Sequence, residues 1–332
     1  MKTKILWFYR YIPNYDFDSW LHLKYVEYLA KREDIELLVY GPEIQHGYPN
    51  LVDKVPYQEG LTIGQIYQQA NMALPNYIIC DTKSRMFFDY DPHPGIKKAD
   101  GMWLPPDFHG IGIPKICLAE DSHYESAPDP WFEKMRFDLI LERHHSQYLR
   151  KHSIPCEWFP FSVDTDVFRP NIEPLESRRI KKLAFVGSYQ DPAYRIRQSA
   201  CNSLQRLGLM DVFARKEKCG YQYIDCLRNY VGHLSCNSIY NLTSAKMFEI
   251  MASGSVLFNN DSPGLKELFP DDAYVTYKDN LQNLVDKTKE VCDNPKLAKE
   301  IAKNGVKCIQ ERHSHEVRTN QLLAHLKNIK RK

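Results

Sequence analysis

A chain of 332 residues, 43% of them apolar, holds enough material for about two packed domains. Its 44 lysines and arginines nearly balance its 42 aspartates and glutamates; the net charge of +2 leaves no global field for nucleic acid. Nine cysteines without a Cys-x-x-Cys pair imply reduced thiols and a cytoplasmic protein, and no apolar run reaches the roughly 20 residues that span a bilayer.

The N-terminal run "MKTKILWFYRYIP" breaks at Arg10 and Pro13 and lacks the cleavage site of a signal peptide. Within it "KILWFY" is short, apolar and aromatic-rich, which predicts a buried strand. "DSWLHLKYVEYLAKRED" sets Trp20, Leu23, Val26 and Leu29 at helical spacing behind a cap at Asp18 or Ser19. "IELLVYGP" is a second strand, stopped by Gly41 and Pro42. Further strands are expected at "YIIC" (77–80), "KICLAE" (115–120), "LILER" (139–143) and "CEWFPF" (156–161), with a helix in "HSQYLRKHS". Such alternation predicts an α/β fold with a parallel sheet covered on both faces. Between Asp81 and Pro114 the pattern fades, as it does in a binding loop or a plain surface excursion.

The polar stretch "SVDTDVFRPNIEPLESRRIKK" reads as a boundary, after which the plan restarts. "LAFVGS" and "MDVFAR" are strands around the helix "AYRIRQSACNSLQRLG", which closes at Gly208; "YIDCLRNYVGHLS" reads as helical. Then comes "LTSAKMFEIMASGSVLFNNDSPGLKELF", a helix capped by Ser244 or Thr243 and ended by Gly254, a buried strand, and a new helix after Pro263. Two Rossmann-like domains facing across a cleft follow, with ligands beyond the carboxyl ends of the strands.

Lys246 stands in the first turn of that helix, where a cation opposes the dipole unless an anion docks beside it. Glu249, one turn on, suits a vicinal diol such as a ribose. A solvent-facing pair at i, i+3, stabilising by about 0.2–0.5 kcal/mol, is the structural alternative.

"SAKMFEIMASGSVLFNNDSPGLKELF" resembles the nucleotide-sugar-binding segment of GT-B glycosyltransferases, closest to the group of CgeB-like spore-maturation proteins. "GIPKICLAEDSHY", "FDLILERHHSQYLRKHSIPCEWFPFSVDTDVFRP" and "KKLAFVGSYQDPAYRIRQ" occur in the order of that fold. The resemblance implies that Glu249 grips the donor ribose and Lys246 the diphosphate, with Ser244 at the helix start. It also implies a last helix, roughly 310–332, crossing back to the first domain. The domains would be 1–165, joined by 310–332, and 166–309. Many retaining members carry a glutamate where Asn241 stands, so inversion is preferred.

In "VGSYQDPAYRIR", Gly187 allows close backbone approach, Ser188 can donate to a phosphate oxygen, and Arg195 or Arg197 can fork onto one. An exposed helix face explains the two arginines otherwise. Inversion needs a base for the acceptor hydroxyl. "ICLAEDSHY" offers Glu120, Asp121 and His123 at a strand end. Similarity to phage DNA β-glucosyltransferases selects Asp121, with His123 second; Asp121 as a helix cap is the alternative.

Asp-x-Asp at Asp16/Asp18, Asp89/Asp91 and Asp164/Asp166 has no support as a metal site, and His144, His145, His313 and His315 lack zinc spacing. The basic tail Lys327, Lys330, Arg331, Lys332 reads as a solvated helix end. The expectation is a metal-independent glycosyltransferase without a cofactor, using a nucleoside-diphosphate sugar, UDP-sugar preferred. Its acceptor would be a glycan, a cell-surface polymer or another hydroxyl. The alternatives are a hydroxymethylated-DNA-base glucosyltransferase, a nucleotide-sugar 2-epimerase and a non-catalytic nucleotide-sugar-binding protein.

Overall fold

The computed structural model describes residues 2–9, 19–42, 55–81, 104–119, 130–144, 153–171, 180–188, 190, 192–214, 217–237, 242–262 and 264–329. The chain divides into two units, Met1–Pro160 with Thr319–Lys332, and Phe161–Arg318.

The first unit carries β1 (Thr3–Phe8), α1 (Ser19–Ala30), β2 (Ile35–Tyr40), α2 (Ile63–Gln69), β3 (Tyr77–Asp81), β4 (Lys115–Ala119), α3 (Pro130–Lys134), β5 (Leu139–Glu142), β6 (Cys156–Trp158) and, from Thr319 on, the closing α10 (His315–Asn328). Its six strands lie in the order β2-β1-β3-β4-β5-β6, every pair parallel. Successive side chains of β1 leave the sheet on opposite faces. Ile5 and Trp7 meet Tyr25, Val26 and Leu29 of α1 and Leu322, Leu323 and Leu326 of α10. Leu6 and Phe8 meet Ile63, Ile66 and Tyr67 of α2 with Phe108, Phe132 and Phe137. A sheet buried on both faces needs unbroken apolar strands, which is why "KILWF" does not alternate.

The second unit repeats the plan with β7 (Ile180–Val186), a 3-10 turn (Pro192–Tyr194), α4 (Arg195–Arg206), β8 (Met210–Phe213), α5 (Tyr221–Asn229), β9 (Tyr230–Leu234), α6 (Ala245–Ala252), β10 (Val256–Asn260), α7 (Leu265–Leu268), β11 (Val275–Tyr277), α8 (Leu284–Asp293) and α9 (Pro295–Cys308); a π turn, Ile309–His313, follows. The order is β11-β10-β9-β7-β8, again parallel throughout. Within each unit the second strand lies on one side of the first and the third on the other. In the second unit this puts the reversal of winding between β7 and β9, and ligands of open α/β sheets bind at such a point.

One reading needs correction. "YIDCLRNYVGHLS", expected to be helical, is α5 followed directly by β9, whose five residues are all buried between β7 and β10. The expected helix 145–153 and the 82–103 stretch lie outside the described residues, except for Ser153. Among the described residues no helix is long and apolar enough to cross a membrane.

Candidate functional site

β7 delivers its last residues to the winding reversal. Gly187 has φ +142, a region L side chains rarely adopt, and a Cβ there would lie 2.7 Å from Lys246 Nζ. Its N–H donates to Phe213 O at 3.0 Å, so the turn leaving β7 stays tied to the end of β8. Ser188 is exposed.

Arg197, on the first turn of α4, reaches back over this turn. Nη1 donates to Ser188 O at 2.9 Å and Nη2 to Cys236 O at 3.0 Å, fastening the residues after β7 to those after β9. Its guanidinium carbon lies 3.7 Å from the ring centroid of Tyr194 and 5.4 Å from that of Phe185. Stacking and two carbonyls hold the cation at the reversal point, while Nε is buried without a hydrogen-bond partner.

α6 brings the other side chains. Ser244 occupies the N-cap with extended backbone (φ −124, ψ 152), but its hydroxyl makes no capping bond. Ser244 Oγ and Thr243 Oγ1 are both buried without partners, and Thr243 is 1% exposed. Unpaired buried hydroxyls are costly, about 1–3 kcal/mol each, unless something docks on them. A helix N-terminus adds free N–H groups and partial positive charge.

Lys246 Nζ donates to the carbonyl of Val186, the last residue of β7, and lies 4.5 Å from the Phe185 ring centroid. Those contacts offset the unfavourable helix dipole and place the ammonium against Gly187. Glu249 is one turn along the same face. Its Oε2 accepts the Tyr223 hydroxyl at 2.6 Å, from the first turn of α5. Burial first, and then the Glu249 charge, push the Tyr223 phenol well above its ordinary range, so it stays a donor.

α6 ends in a Schellman arrangement. Gly254 at φ +69 donates to Met251 O at 3.0 Å, Ser255 N donates to Ile250 O at 3.2 Å, and β10 begins at once.

Residues 172–324 match the model of the family described as glycosyl transferase-like. Solved structures align over nearly the whole chain. A glycosyltransferase from Rickettsia africae is 10% identical over 99% of this chain and 98% of its own, with a TM-score of 0.63. HepE from Anabaena, solved in complex with UDP, is 12% identical over 98% and 99%, with a TM-score of 0.60. An α-glucosyltransferase, solved with UDP-glucose and DNA containing an abasic site, is 8% identical over 99% and 100%, with a TM-score of 0.64. The fold is GT-B, and the matched region is a glycosyl transferase-like domain. The family match covers under half of the chain, whereas the structural likeness extends over nearly all of it. A sequence search of curated proteins finds no match.

In this GT-B chain the geometry gathers Gly187, Ser188, Arg197 and Lys246 around the carboxyl ends of β7 and β9, while Ser244 and Glu249 share α6 with Lys246. Arg195, at the start of α4, is exposed. Asp121, His123, Glu120 and Asn241 lie outside the described residues; β4 ends at Ala119, two positions before Asp121. Two residues beside these side chains escaped the sequence reading. Thr243 entered it only as a cap, and Tyr223 gave no signal, being 26 residues from its carboxylate. Among the described residues no three His, Cys, Asp or Glu side chains cluster as a metal set.

A cavity of about 670 Å³ in the first unit, lined by Asn76, His109, Lys115, Arg136 and Ser153 among others, lies elsewhere. It opens at the amino ends of β3, β4 and β5, the edge that ligands of such sheets avoid. Its buried cation is already engaged: Lys115 Nζ donates to Phe108 O at 3.1 Å and Ile111 O at 3.3 Å.

Proposed function

We propose that this enzyme moves a sugar from a nucleoside-diphosphate donor, UDP-sugar in preference, to a hydroxyl acceptor, with inversion and no resident metal. What carries the reading is the α6 face itself: an ammonium at the helix start beside unpartnered hydroxyls, and a carboxylate one turn further. The diphosphate occupies the N-terminus of α6, against its free N–H groups, Thr243, Ser244 and Lys246. Glu249 accepts the ribose hydroxyls. Arg197 holds the two strand-end loops in place, and Arg195 reaches the phosphates from solvent. HepE complexed with UDP, and separately with UDP and glucose, supports a uridine donor.

Asp121, with His123 as second choice, takes the acceptor proton as the hydroxyl oxygen attacks the anomeric carbon. The bond from that carbon to the β-phosphate oxygen breaks, and its electron pair leaves with the diphosphate. Lys246, Arg195 and the helix dipole face the growing charge, and preorganised charge of this kind is often the largest catalytic term. These cations do the work a metal would do, so transfer should persist in EDTA. With a net charge of +2, a glycan or cell-surface polymer is preferred to DNA as acceptor.

Calorimetric titration with UDP tests the donor half. Glu249→Ala should weaken binding about tenfold or more while the protein stays folded, the worth of a lost charge-assisted hydrogen bond. Unchanged affinity removes the ribose role. Asp121→Asn should abolish transfer and spare UDP binding; surviving turnover puts the base elsewhere. A changed sugar formed from donor alone selects the 2-epimerase alternative.

A further inference from the structure

We infer that Tyr223 is a positioning residue for the donor: its hydroxyl fixes the Glu249 carboxylate in the orientation that receives the ribose. This rests on the reading of Glu249 as the ribose ligand and adds a specificity determinant to it.

A glutamate at an intermediate depth on a helix swings through several rotamers, and a diol is recognised only when the carboxylate plane is set. The Tyr223 hydroxyl takes Oε2 at 2.6 Å, the length of a charge-assisted O–H···O⁻ bond. The donor is itself held. Tyr223 is buried, with its ring edge-on to Phe168 at 6.3 Å between centroids. α5 is anchored at its far end, where Arg228 donates to Val167 O and Arg169 O, both at 2.8 Å. Ser255 Oγ, just before the strand that follows α6, shares its one proton between Leu227 O at 2.5 Å and Tyr230 O at 3.0 Å. α5 is thus tied to the segment 167–169 and, on the C-terminal side of the Tyr223–Glu249 contact, to the chain leaving α6. The phenol's one proton goes to Oε2 of Glu249.

The test compares the full-length protein with its Tyr223→Phe and Glu249→Ala variants, titrated with UDP, 2′-deoxy-UDP and 3′-deoxy-UDP. Phenylalanine keeps the ring against Phe168, so the variant should melt within a few degrees of the parent. The parent should prefer UDP to at least one deoxy analogue by about tenfold or more. Tyr223→Phe should lose about five- to tenfold in UDP affinity and less than twofold for that analogue, which narrows the preference towards one. In turnover the donor KM should rise by the same factor, with kcat within about twofold, as expected for lost binding common to ground and transition states. A Tyr223→Phe protein that keeps the full preference overturns the inference, as does equal weakening for all three ligands, the mark of a merely structural tyrosine. If Glu249→Ala binds UDP as the parent does, or the parent does not bind UDP, the ribose reading falls and this inference with it.

Discussion

Gly187 answers two demands at once. Its φ of +142 suits glycine alone, and the space a Cβ would fill is held by the Lys246 ammonium. Gly187→Ala should therefore cost about 1–3 kcal/mol in chemical denaturation and weaken UDP more than it weakens the fold, because Lys246 must move from its place beside β7. A variant as stable and as tight-binding as the parent would show that the turn tolerates a side chain. At this scale the sequence was informative where a residue's own context was odd: a lysine in a first turn, a glycine after a strand. It was silent where meaning came from across the fold. Nothing in "AYRIR" says that Arg197 ties Ser188 to Cys236 while Arg195 faces solvent, since the choice depends on where β9 ends.

β9 shows why element boundaries were less legible. Tyr223, Leu227, Val231 and Leu234 recur at three- and four-residue spacing, so the helical period runs on into a strand whose one glycine, Gly232, comes two positions past its start. Burial decides against it. At Gly232 a Cβ would stand 2.8 Å from Leu183 Cδ2 and 2.9 Å from Val256 O, which demands glycine in a strand squeezed between β7 and β10. By contrast α6 was legible, because its glycine stop and apolar face lie within one segment. The π turn after α9 carries a pH consequence of its own. His313 Nε2 donates to Leu268 O at 2.9 Å, which leaves Nδ1 to accept from Arg318 Nη2 at 2.8 Å. The rings of Phe248 and Phe269 flank it at 5.2 and 5.4 Å. A proton on Nδ1 would confront the Arg318 guanidinium, with Arg312 adding to the repulsion. Burial above all, then, drops the pKa to about 3 from a model-peptide value of 6.5. The unfolded chain binds the proton first, so this histidine costs no stability above pH 6.5. Between 6.5 and 3 stability falls with acidification by about 1.4 kcal/mol per pH unit. In urea titrations from pH 7 to 5, His313→Gln should lower stability at pH 7 and flatten the slope. An unchanged slope would assign the acid sensitivity to other groups.

As a whole molecule the chain has an uneven wiring. The second unit is one continuous stretch, while the first is assembled from both ends, its core completed by α10. Leu322 and Leu326, 0% and 1% exposed, sit among Trp7, Tyr25 and Val26, so the last helix belongs to a sheet whose strands finish some 160 residues earlier. Truncating one of them should therefore act on the first unit alone. Leu326→Ala removes buried methyl groups and costs about 2–5 kcal/mol, lowering that unit's melting temperature by on the order of 5–15 °C. UDP, bound by the second unit in the reading above, stabilises only what it binds. At about a hundred times its dissociation constant it adds about 2.7 kcal/mol. Scanning calorimetry of the parent and Leu326→Ala, each with and without UDP, separates the effects. The substitution should move the transition that UDP leaves alone, and UDP should move the one the substitution leaves alone. If a single transition responds to both, the units melt as one cooperative body, and α10 couples donor binding to the stability of the whole chain.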